Sequence, residues 1–289
     1  MIFEKINLGQ HLSVFSFPIS DSESEVLMHF LQGAKEFFEM PDDEKLKYKV
    51  SGGALNFRGY FQYKSQNYDI HGKKKDLKEG FDFGKHSMDR GYNHFYGANI
   101  CPPQMHNFNS IFHFFENKGE QFVQKLEEEF EAKENKISHL FDPSIVNLRV
   151  IHYPAREVVN DQQIHLVEHY DPGFATFLFS DETATEYFCG EQNKWILIPT
   201  NKNTVSVVFG STAQRWSEGK IQAPLHKIEY LRKARTSLCF FYNPAFAAQV
   251  KSLTNKDNFN AGRFIYCESV EEPSRHDSIY DDILLNRIK

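Results

Sequence analysis

Short apolar runs dominate the chain beyond residue 145 and limit the folds open to it. The runs are NLRVIHY, FATFLF, KWILIP, TVSVVFG and TSLCFFYNP, and Gly, Pro, Asn, Asp and Glu separate them. Each run has the length of a strand, and no helical periodicity lies between them. Closely spaced strands of this kind favour an antiparallel sandwich or barrel over a parallel sheet with crossover helices.

Two helical patterns precede this region. In SESEVLMHFLQGAKEFFEM, Ser22 and Glu25 have the spacing of a capping box, and apolar residues then recur at helical spacing until Pro41. A long amphipathic helix is predicted from residue 109 to about residue 140. The apolar residues that define its buried face are Phe115, Phe122, Leu126, Phe130 and Ile137.

The change of pattern near residue 145 predicts three regions. Residues 1–144 are expected to support the barrel with helices and strands, residues 145–246 to form it, and residues 247–289 to follow as a C-terminal segment. Residues 51–108 predict short strands and loops, and SIYDDILLNRI predicts a closing helix. A chain of 289 residues can bury a sizeable core, and its 28 phenylalanines are expected mainly to fill that core.

Composition argues against several classes of function. The formal charge is −6, with both signs spread along the chain, whereas a nucleic-acid binder needs clustered Lys and Arg. The lysines at 73–75, followed by Asp76, Lys78 and Glu79, predict a solvated turn. The four cysteines are far apart, as expected for reduced thiols. No signal peptide or membrane span is visible, so we expect a soluble, cytoplasmic protein.

A histidine and an aspartate stand two positions apart at the head of an apolar run. His169 and Asp171 in EHYDPGFATFLF would project to the same side of a strand. His226, in APLHKIEY, is the other histidine of the strand-rich region that a neighbouring strand could bring alongside them. Two imidazoles and one carboxylate on one face of a metal suit non-haem iron(II), with positions left open for co-substrate and oxygen.

A second pair with the same spacing begins nine residues beyond His226. Arg235 and Ser237 in RTSLCFF also share one side of a strand. A guanidinium and a hydroxyl together are well suited to binding a carboxylate through charge-assisted hydrogen bonds. The strand-rich region therefore predicts a metal site with an anchor for an acid nearby.

These segments resemble a known enzyme family. HYDPGFATFLF, VVFGSTAQRWSEGKIQAPLHKI and RTSLCFFYNP are similar, in order, to motifs of the iron(II)- and 2-oxoglutarate-dependent dioxygenases of the isopenicillin N synthase-like group. LRVIHYPAR resembles the family's Arg-x-x-x-Tyr-Pro strand, which makes Tyr153 a candidate contact of 2-oxoglutarate. The likeness is strong over about residues 145–245 and fair over residues 30–130.

The resemblance implies a mainly β fold, a double-stranded β-helix or jelly roll supported by α-helices, one of them long. It implies iron(II) bound by His169, Asp171 and His226, and 2-oxoglutarate held by Arg235 and Ser237. It also implies ascorbate as a candidate additional cofactor. The partners expected from it are a small-molecule substrate and O2, without nucleic acid or membrane. The oxidation would be a hydroxylation, desaturation or ring closure.

Two other functions compete with this interpretation. HLVEH, residues 165–169, matches the His-x-x-Glu-His pattern of inverted zinc peptidases, with His165 and His169 as ligands and Glu168 as base. That chemistry needs a helix, and Asp171, Pro172 and Gly173 would stop one within a turn. The other alternative is a non-catalytic barrel that binds a small acid through Arg235.

Overall fold

Antiparallel strands make up most of the regular structure. The computed structural model describes residues 4–6, 13–49, 58–65, 76–85, 98–132, 135–155, 165–198, 200–228 and 231–268. Its strands are β1 (Glu4–Ile6), β2 (Val14–Pro18), β3 (Gly59–Phe61), β4 (Glu79–Gly84), β5 (Ile145–Tyr153), β6 (Leu166–His169), β7 (Ala175–Ser180), β8 (Glu186–Cys189), β9 (Lys194–Leu197), β10 (Thr204–Phe209), β11 (His226–Ile228), β12 (Arg235–Asn243), β13 (Gln249–Lys251) and β14 (Asn258–Asn260). Its α-helices are α1 (Asp21–Phe38), α2 (Asp42–Leu46), α3 (Phe108–Glu129), α4 (Ser211–Trp216) and α5 (Ala261–Glu268).

Two sheets enclose a pocket. The major sheet has eight strands in the order β1-β2-β10-β7-β12-β5-β4-β3, and the minor sheet has four in the order β6-β11-β8-β9. Side chains from both sheets line one pocket. The predicted jelly-roll core with supporting helices, one of them long, is therefore confirmed, and strands from the first hundred residues complete the major sheet.

The alternation of side chains along β12 separates the core from the pocket. Leu238, Phe240 and Tyr242 are buried in the main hydrophobic core, on the helix-covered face. Phe240, for example, stacks on Phe115 of α3 with ring centroids 5.3 Å apart. The alternate residues, beginning with Arg235, line the pocket instead. Because successive side chains of a strand point to opposite faces, one strand serves both layers.

The first helix begins two residues earlier than its sequence pattern indicated. Ser20 is the N-cap: its Oγ accepts a hydrogen bond from the Glu23 backbone N–H at 3.2 Å. The Glu23 carboxylate accepts one from the Ser20 N–H at 2.8 Å. The capping box is thus Ser20 with Glu23, and the predicted box of Ser22 with Glu25 is wrong. The apolar face predicted for this helix is buried as expected.

The long helix ends at Glu129, so the predicted extension to residue 140 is wrong. Glu131 adopts a left-handed backbone conformation with φ of 48°, which an α-helix cannot continue through. The buried carboxylate of Glu127 then accepts the backbone N–H groups of Ile137 and Ser138, each at 2.6 Å. Ile137 still reaches the core, as its spacing suggested, but from a separate segment.

The charged run near residue 76 is not a solvated turn. Asp76, Lys78 and Glu79 are all buried, and the Lys78 ammonium lies 3.2 Å from the Asp76 carboxylate. Glu79 binds the Lys45 ammonium at 2.9 Å and accepts a hydrogen bond from the Tyr60 hydroxyl at 2.6 Å. Charged side chains can be buried here because each has an oppositely charged partner. Residues 73–75 and the predicted closing helix lie outside the described residues.

Within the described part of the chain, no helix has both the length and the apolar character needed to cross a bilayer.

Candidate active site

Three predicted ligands converge where β6 and β11 meet. His169 and His226 are directly opposite each other in the antiparallel pairing of these two strands. The Asp171 carboxylate oxygen Oδ1 lies 3.8 Å from His169 Nε2 and 3.9 Å from His226 Nε2. One potential ligand atom from each residue lies within 4.8 Å of the other two. The convergence predicted from the sequence is therefore present.

Hydrogen bonds to the backbone orient both imidazoles toward this cluster. Nδ1 of His169 lies 2.9 Å from the Val167 carbonyl oxygen, and Nδ1 of His226 lies 3.1 Å from the Pro224 carbonyl oxygen. A carbonyl oxygen can only accept a hydrogen bond, so Nδ1 carries the proton in each ring. Nε2 then keeps its lone pair and faces the cluster, as a metal-binding histidine requires.

A loop, rather than the strand itself, presents Asp171. Strand β6 ends at His169, so the two residues do not share a strand as their spacing predicted. The backbone N–H of Ser211, the first residue of α4, donates to the Asp171 carbonyl oxygen at 2.8 Å. On the side chain, Oδ2 accepts a hydrogen bond from the Thr176 hydroxyl at 2.6 Å. Thr176 thus fixes one carboxylate oxygen, while Oδ1 faces the two imidazoles.

The surroundings favour the neutral form of His169. Burial lowers the pKa of His169 well below its ordinary value, and the neighbouring His226 and Lys78 lower it further. A neutral imidazole keeps the lone pair that binds a metal ion. Burial also raises the pKa of the Tyr187 hydroxyl, and the Asp171 carboxylate raises it further, so Tyr187 stays protonated beside the cluster.

The predicted acid anchor lies in the same pocket. Arg235 and Ser237 both point into it from β12 and are buried, with exposures of 1% and 0%. The Arg235 guanidinium donates to the Glu182 carbonyl oxygen at 3.0 Å and to the Thr185 hydroxyl at 3.2 Å. Among the described residues, no carboxylate lies within ion-pair distance of Arg235, and the Ser237 hydroxyl has no hydrogen-bond partner.

Tyr153 lies beside the anchor. It is directly opposite Arg235 in the pairing of β5 with β12, and the guanidinium carbon lies 5.4 Å from its ring centroid. The tyrosine is buried and lines the pocket. This position is compatible with its predicted contact to 2-oxoglutarate, and the stacking on its ring also holds the guanidinium in place.

The pocket contains charged residues that the sequence interpretation did not single out. Arg149 lines it from β5 and is fixed by the Asp82 carboxylate, with Nε and Nη2 at 2.7 and 2.9 Å from the two carboxylate oxygens. Lys78 lines it near His169. Cys239, on β12, is directly opposite Arg149, and burial raises the pKa of its thiol to about 11. Asp82 is 67 residues from Arg149 in the chain, so sequence spacing gave no signal for the pair.

The zinc peptidase alternative is wrong. Its pattern needs His165 and His169 one helical turn apart, and the structure has strand β6 there. His165 is fully buried, with Nε2 3.0 Å from the Pro154 carbonyl oxygen, and is not part of the candidate metal-binding cluster. Glu168 is exposed on the strand and cannot act as a base at that cluster.

Comparisons with known proteins agree with this geometry. The family model of the 2OG-Fe(II) oxygenase superfamily matches residues 144–244. A second model, described as the non-haem dioxygenase in morphine synthesis N-terminal, matches residues 18–104. The chain is 29% identical over 234 residues to the 2-oxoglutarate-dependent dioxygenase citB of Monascus ruber, covering 73% of this chain and 68% of the relative. It is 26% identical over 257 residues to the 2-oxoglutarate-dependent dioxygenase caaD of Aspergillus niger, covering 82% and 74%.

A solved structure shares the fold. A full-length Neurospora crassa protein, crystallised in complex with alpha-KG, superposes with a TM-score of 0.70 at 21% identity, covering 86% of this chain and 82% of the other. The jelly-roll fold, the relatives and the two family matches together define an oxygenase. The chain belongs to the 2-oxoglutarate- and iron(II)-dependent oxygenase superfamily. It is a 2-oxoglutarate-dependent iron(II) dioxygenase that uses iron(II) as cofactor and 2-oxoglutarate as co-substrate.

Proposed function

We propose that His169, Asp171 and His226 bind the iron(II) ion, and that Arg235, Ser237 and Tyr153 bind 2-oxoglutarate. One observation carries the first assignment: three ligand atoms of suitable chemistry lie within 4.8 Å of one another. Two imidazole nitrogens and a carboxylate oxygen form the facial set that non-haem iron(II) prefers. The backbone carbonyls that hold both Nδ1 atoms, and the hydroxyl that holds Asp171, supply the supporting contacts of such a site.

The second assignment rests on charge. A buried guanidinium without a carboxylate partner is unfavourable unless an anion joins it. Among the described residues, Arg235 is a buried guanidinium without a carboxylate partner. The Ser237 hydroxyl, which has no hydrogen-bond partner among them, lies two residues along the same face of the strand. A carboxylate bound there would accept charge-assisted hydrogen bonds from Arg235 and a hydrogen bond from Ser237. Tyr153 would limit the movement of the guanidinium during binding.

Iron(II) with 2-oxoglutarate supplies the oxidising power, by coupling decarboxylation of the co-substrate to succinate with reduction of O2. The contribution of the chain is orientation and exclusion of water. Apolar residues surround the polar groups on the pocket wall. They include Ile151, Leu166, Leu178, Val208 and Ile228.

The remaining partners follow from this proposal. The substrate is a small organic molecule that undergoes hydroxylation, desaturation or ring closure with O2, and ascorbate would serve to keep iron reduced. The charge of −6 supports a protein that acts on neither nucleic acid nor membrane. Widely spaced cysteines support a reducing, cytoplasmic location.

Succinate formation tests the assignment. Wild-type protein supplied with iron(II), 2-oxoglutarate and O2 should form succinate, and His169→Ala should reduce the rate by at least about 100-fold because one ligand is lost. The matched control is His106→Ala, an exposed histidine outside the pocket, which should leave the rate unchanged. Anaerobic iron(II) titration followed by calorimetry provides a readout independent of turnover. Equal iron affinity in wild type and His169→Ala would refute the proposed ligands.

A further inference from the structure

We infer that the hydroxyl of Tyr187 donates a hydrogen bond to the keto-acid end of 2-oxoglutarate and so positions that end at the metal site. The inference rests on the proposed function, because it takes the metal cluster and the acid anchor as the two ends of the bound co-substrate. Tyr187 was not among the residues that the sequence predicted for this site. Its assignment rests on strand pairing, on burial and on the state of its hydroxyl.

Strand pairing places Tyr187 beside a proposed iron ligand. Tyr187 of β8 is directly opposite His226 in the pairing of β8 with β11, and His226 is in turn opposite His169 of β6. The ring centroids of Tyr187 and His226 lie 5.7 Å apart, with an angle of 33° between the ring planes. The three side chains therefore form a row across the minor sheet. Tyr187 is the member of this row that is not a proposed metal ligand.

The same stretch of chain also reaches the acid anchor. Thr185, two residues before Tyr187, accepts a hydrogen bond from the Arg235 guanidinium at 3.2 Å, and both residues line the pocket. The Thr185 carbonyl oxygen accepts the Ile198 N–H at 3.3 Å, which continues the pairing of β8 with β9. Two residues of a strand span about 6.6 Å. The first and fifth carbons of an extended five-carbon chain are about 5 Å apart, since each bond is about 1.5 Å long. A five-carbon diacid between anchor and metal would thus lie alongside Thr185 and Tyr187.

The Tyr187 hydroxyl is a donor that the described residues do not occupy. The side chain is buried and lines the pocket, but its hydroxyl makes no hydrogen bond to any described residue. Burial raises the pKa of Tyr187, the Asp171 carboxylate raises it further, and the Arg235 guanidinium lowers it. The hydroxyl is therefore protonated and lies within electrostatic range of both the cluster and the anchor. A buried phenol gains stability when an oxygen acceptor binds beside it.

The keto-acid end has an acceptor for this donor. A 2-oxo acid that chelates a metal ion uses its keto oxygen and one oxygen of the adjacent carboxylate, so the second carboxylate oxygen can still accept a hydrogen bond. Thr176, a second hydroxyl close to the cluster, already donates to Asp171 at 2.6 Å. The distal carboxylate is assigned to Arg235 and Ser237. The Tyr187 hydroxyl, next to His226, therefore matches the acceptor at the metal end.

Tyr187→Phe removes one oxygen atom and tests the inference. Iron(II) and a chelating 2-oxo acid form a visible charge-transfer band, and its energy depends on hydrogen bonds to the chelating group. Anaerobic titration followed by absorption therefore reports both the affinity and the surroundings of that end. We expect Tyr187→Phe to raise the Kd of 2-oxoglutarate about tenfold and to shift the band. Ser237→Ala acts at the other end and should raise the Kd without moving the band.

A co-substrate analogue without the distal carboxylate locates the contact. 2-Oxopentanoate keeps the five-carbon chain and the keto-acid end but has a methyl group in place of that carboxylate. Tyr187→Phe should weaken binding of 2-oxopentanoate and of 2-oxoglutarate by the same factor, whereas Ser237→Ala should weaken 2-oxoglutarate alone. If 2-oxopentanoate does not bind wild type, the band of the 2-oxoglutarate complex decides. Loss of 2-oxoglutarate affinity in Tyr187→Phe with an unmoved band would overturn the inference.

Tyr242→Phe is the matched control. Tyr242 on β12 is also buried and makes no hydrogen bond to a described residue through its hydroxyl, but it packs in the main core, outside the pocket lining. Its substitution should change neither the Kd nor the band. If 2-oxoglutarate binds wild type in an Arg235-dependent manner but Tyr187→Phe has a Kd within about twofold of wild type, only this inference fails. If binding does not depend on Arg235, the proposed function itself fails.

Discussion

Two buried arginines in one pocket have opposite electrostatic surroundings. Arg149 has a fixed carboxylate, Asp82, bound through two hydrogen bonds. Arg235 is just as buried but is held by a carbonyl oxygen, a hydroxyl and an aromatic ring, and no described carboxylate pairs with it. The difference shows that one pocket can contain both a charge that the protein itself neutralises and a charge without a built-in counter-ion. A charge with a built-in partner supports the fold, whereas a charge without one favours binding of an anion.

The largest effect is expected from breaking the ion pair between Arg149 and Asp82. Arg149→Leu would leave the Asp82 carboxylate buried without its bidentate partner, and we expect the free energy of unfolding to fall by about 3 to 5 kcal/mol. Urea denaturation measures this loss. The variant in which Asp82→Asn and Arg149→Gln are combined should recover more than half of it, since neither residue is then charged. A loss below about 1 kcal/mol for Arg149→Leu would mean that the pair does not stabilise the fold.

Replacement of Arg235 by leucine should affect ligand binding strongly and stability little, the opposite of what we expect for Arg149→Leu. Arg235→Leu should leave the unliganded protein about as stable as wild type, because it removes a buried charge that has no fixed counter-ion. It should raise the Kd of 2-oxoglutarate at least about 100-fold, or about 2.8 kcal/mol. Calorimetric titration and urea denaturation of the same preparation test both parts. Equal losses of stability in the two arginine variants would remove the contrast between them.

The hydroxyl of Ser237 provides a further test of the difference between the surroundings of Arg235 and Arg149. Its oxygen has no hydrogen-bond partner among the described residues, so Ser237→Ala should not destabilise the unliganded protein. We expect its 2-oxoglutarate affinity to fall about tenfold, or about 1.4 kcal/mol. Ser180, directly opposite on β7, is the control, because its hydroxyl already donates to the Glu182 carbonyl oxygen. If Ser180→Ala weakens 2-oxoglutarate binding as much as Ser237→Ala does, the hydroxyl of Ser237 has no specific role.

The smallest effect is expected from a residue that only orients Arg235. Thr185 accepts a hydrogen bond from the guanidinium at 3.2 Å, and Thr185→Val would remove that bond while keeping the shape. We expect 2-oxoglutarate to bind about threefold more weakly, or about 0.7 kcal/mol. A change of more than about tenfold, measured in the same titration, would indicate direct contact with the ligand instead.

The comparison also separates what the sequence could predict from what it could not. Arg235 and Ser237 are close in the chain and share one strand, so their common direction could be predicted from a period of two. His226 was predicted beside His169 on the condition that a neighbouring strand brings it there, and the β6–β11 pairing does so. Arg149 owes its environment to Asp82, which a strand pairing brings from 67 residues away. Such partners depend on sheet register, which no local pattern encodes.

The end of α3 and the burial of the charged run near residue 76 were predicted wrongly for a similar reason, because both depend on features that no local pattern encodes. The apolar spacing that predicted α3 continues to Ile137, and the residue does enter the core. What ends the helix is the left-handed backbone at Glu131, and the Glu127 carboxylate then binds the N–H groups of the separate segment that begins at Ile137. Apolar periodicity reveals neither feature. The charged run at Asp76 and Lys78 was predicted as solvent-exposed because its composition is that of a turn. Its burial depends on the sheet and on the His165 backbone that lies against it.

The position of β12 has a consequence for folding of the protein during its synthesis on the ribosome. It is the central bridge of the major sheet, joining β1-β2-β10-β7 to β5-β4-β3, and it is the last of those eight strands to be translated. Until it emerges, β7 and β5 present unpaired edges, which are prone to aggregation and are typical targets of chaperones. The strand that completes the sheet also delivers Arg235 and Ser237. A nascent chain that stalls before residue 235 therefore lacks both a closed sheet and its acid anchor.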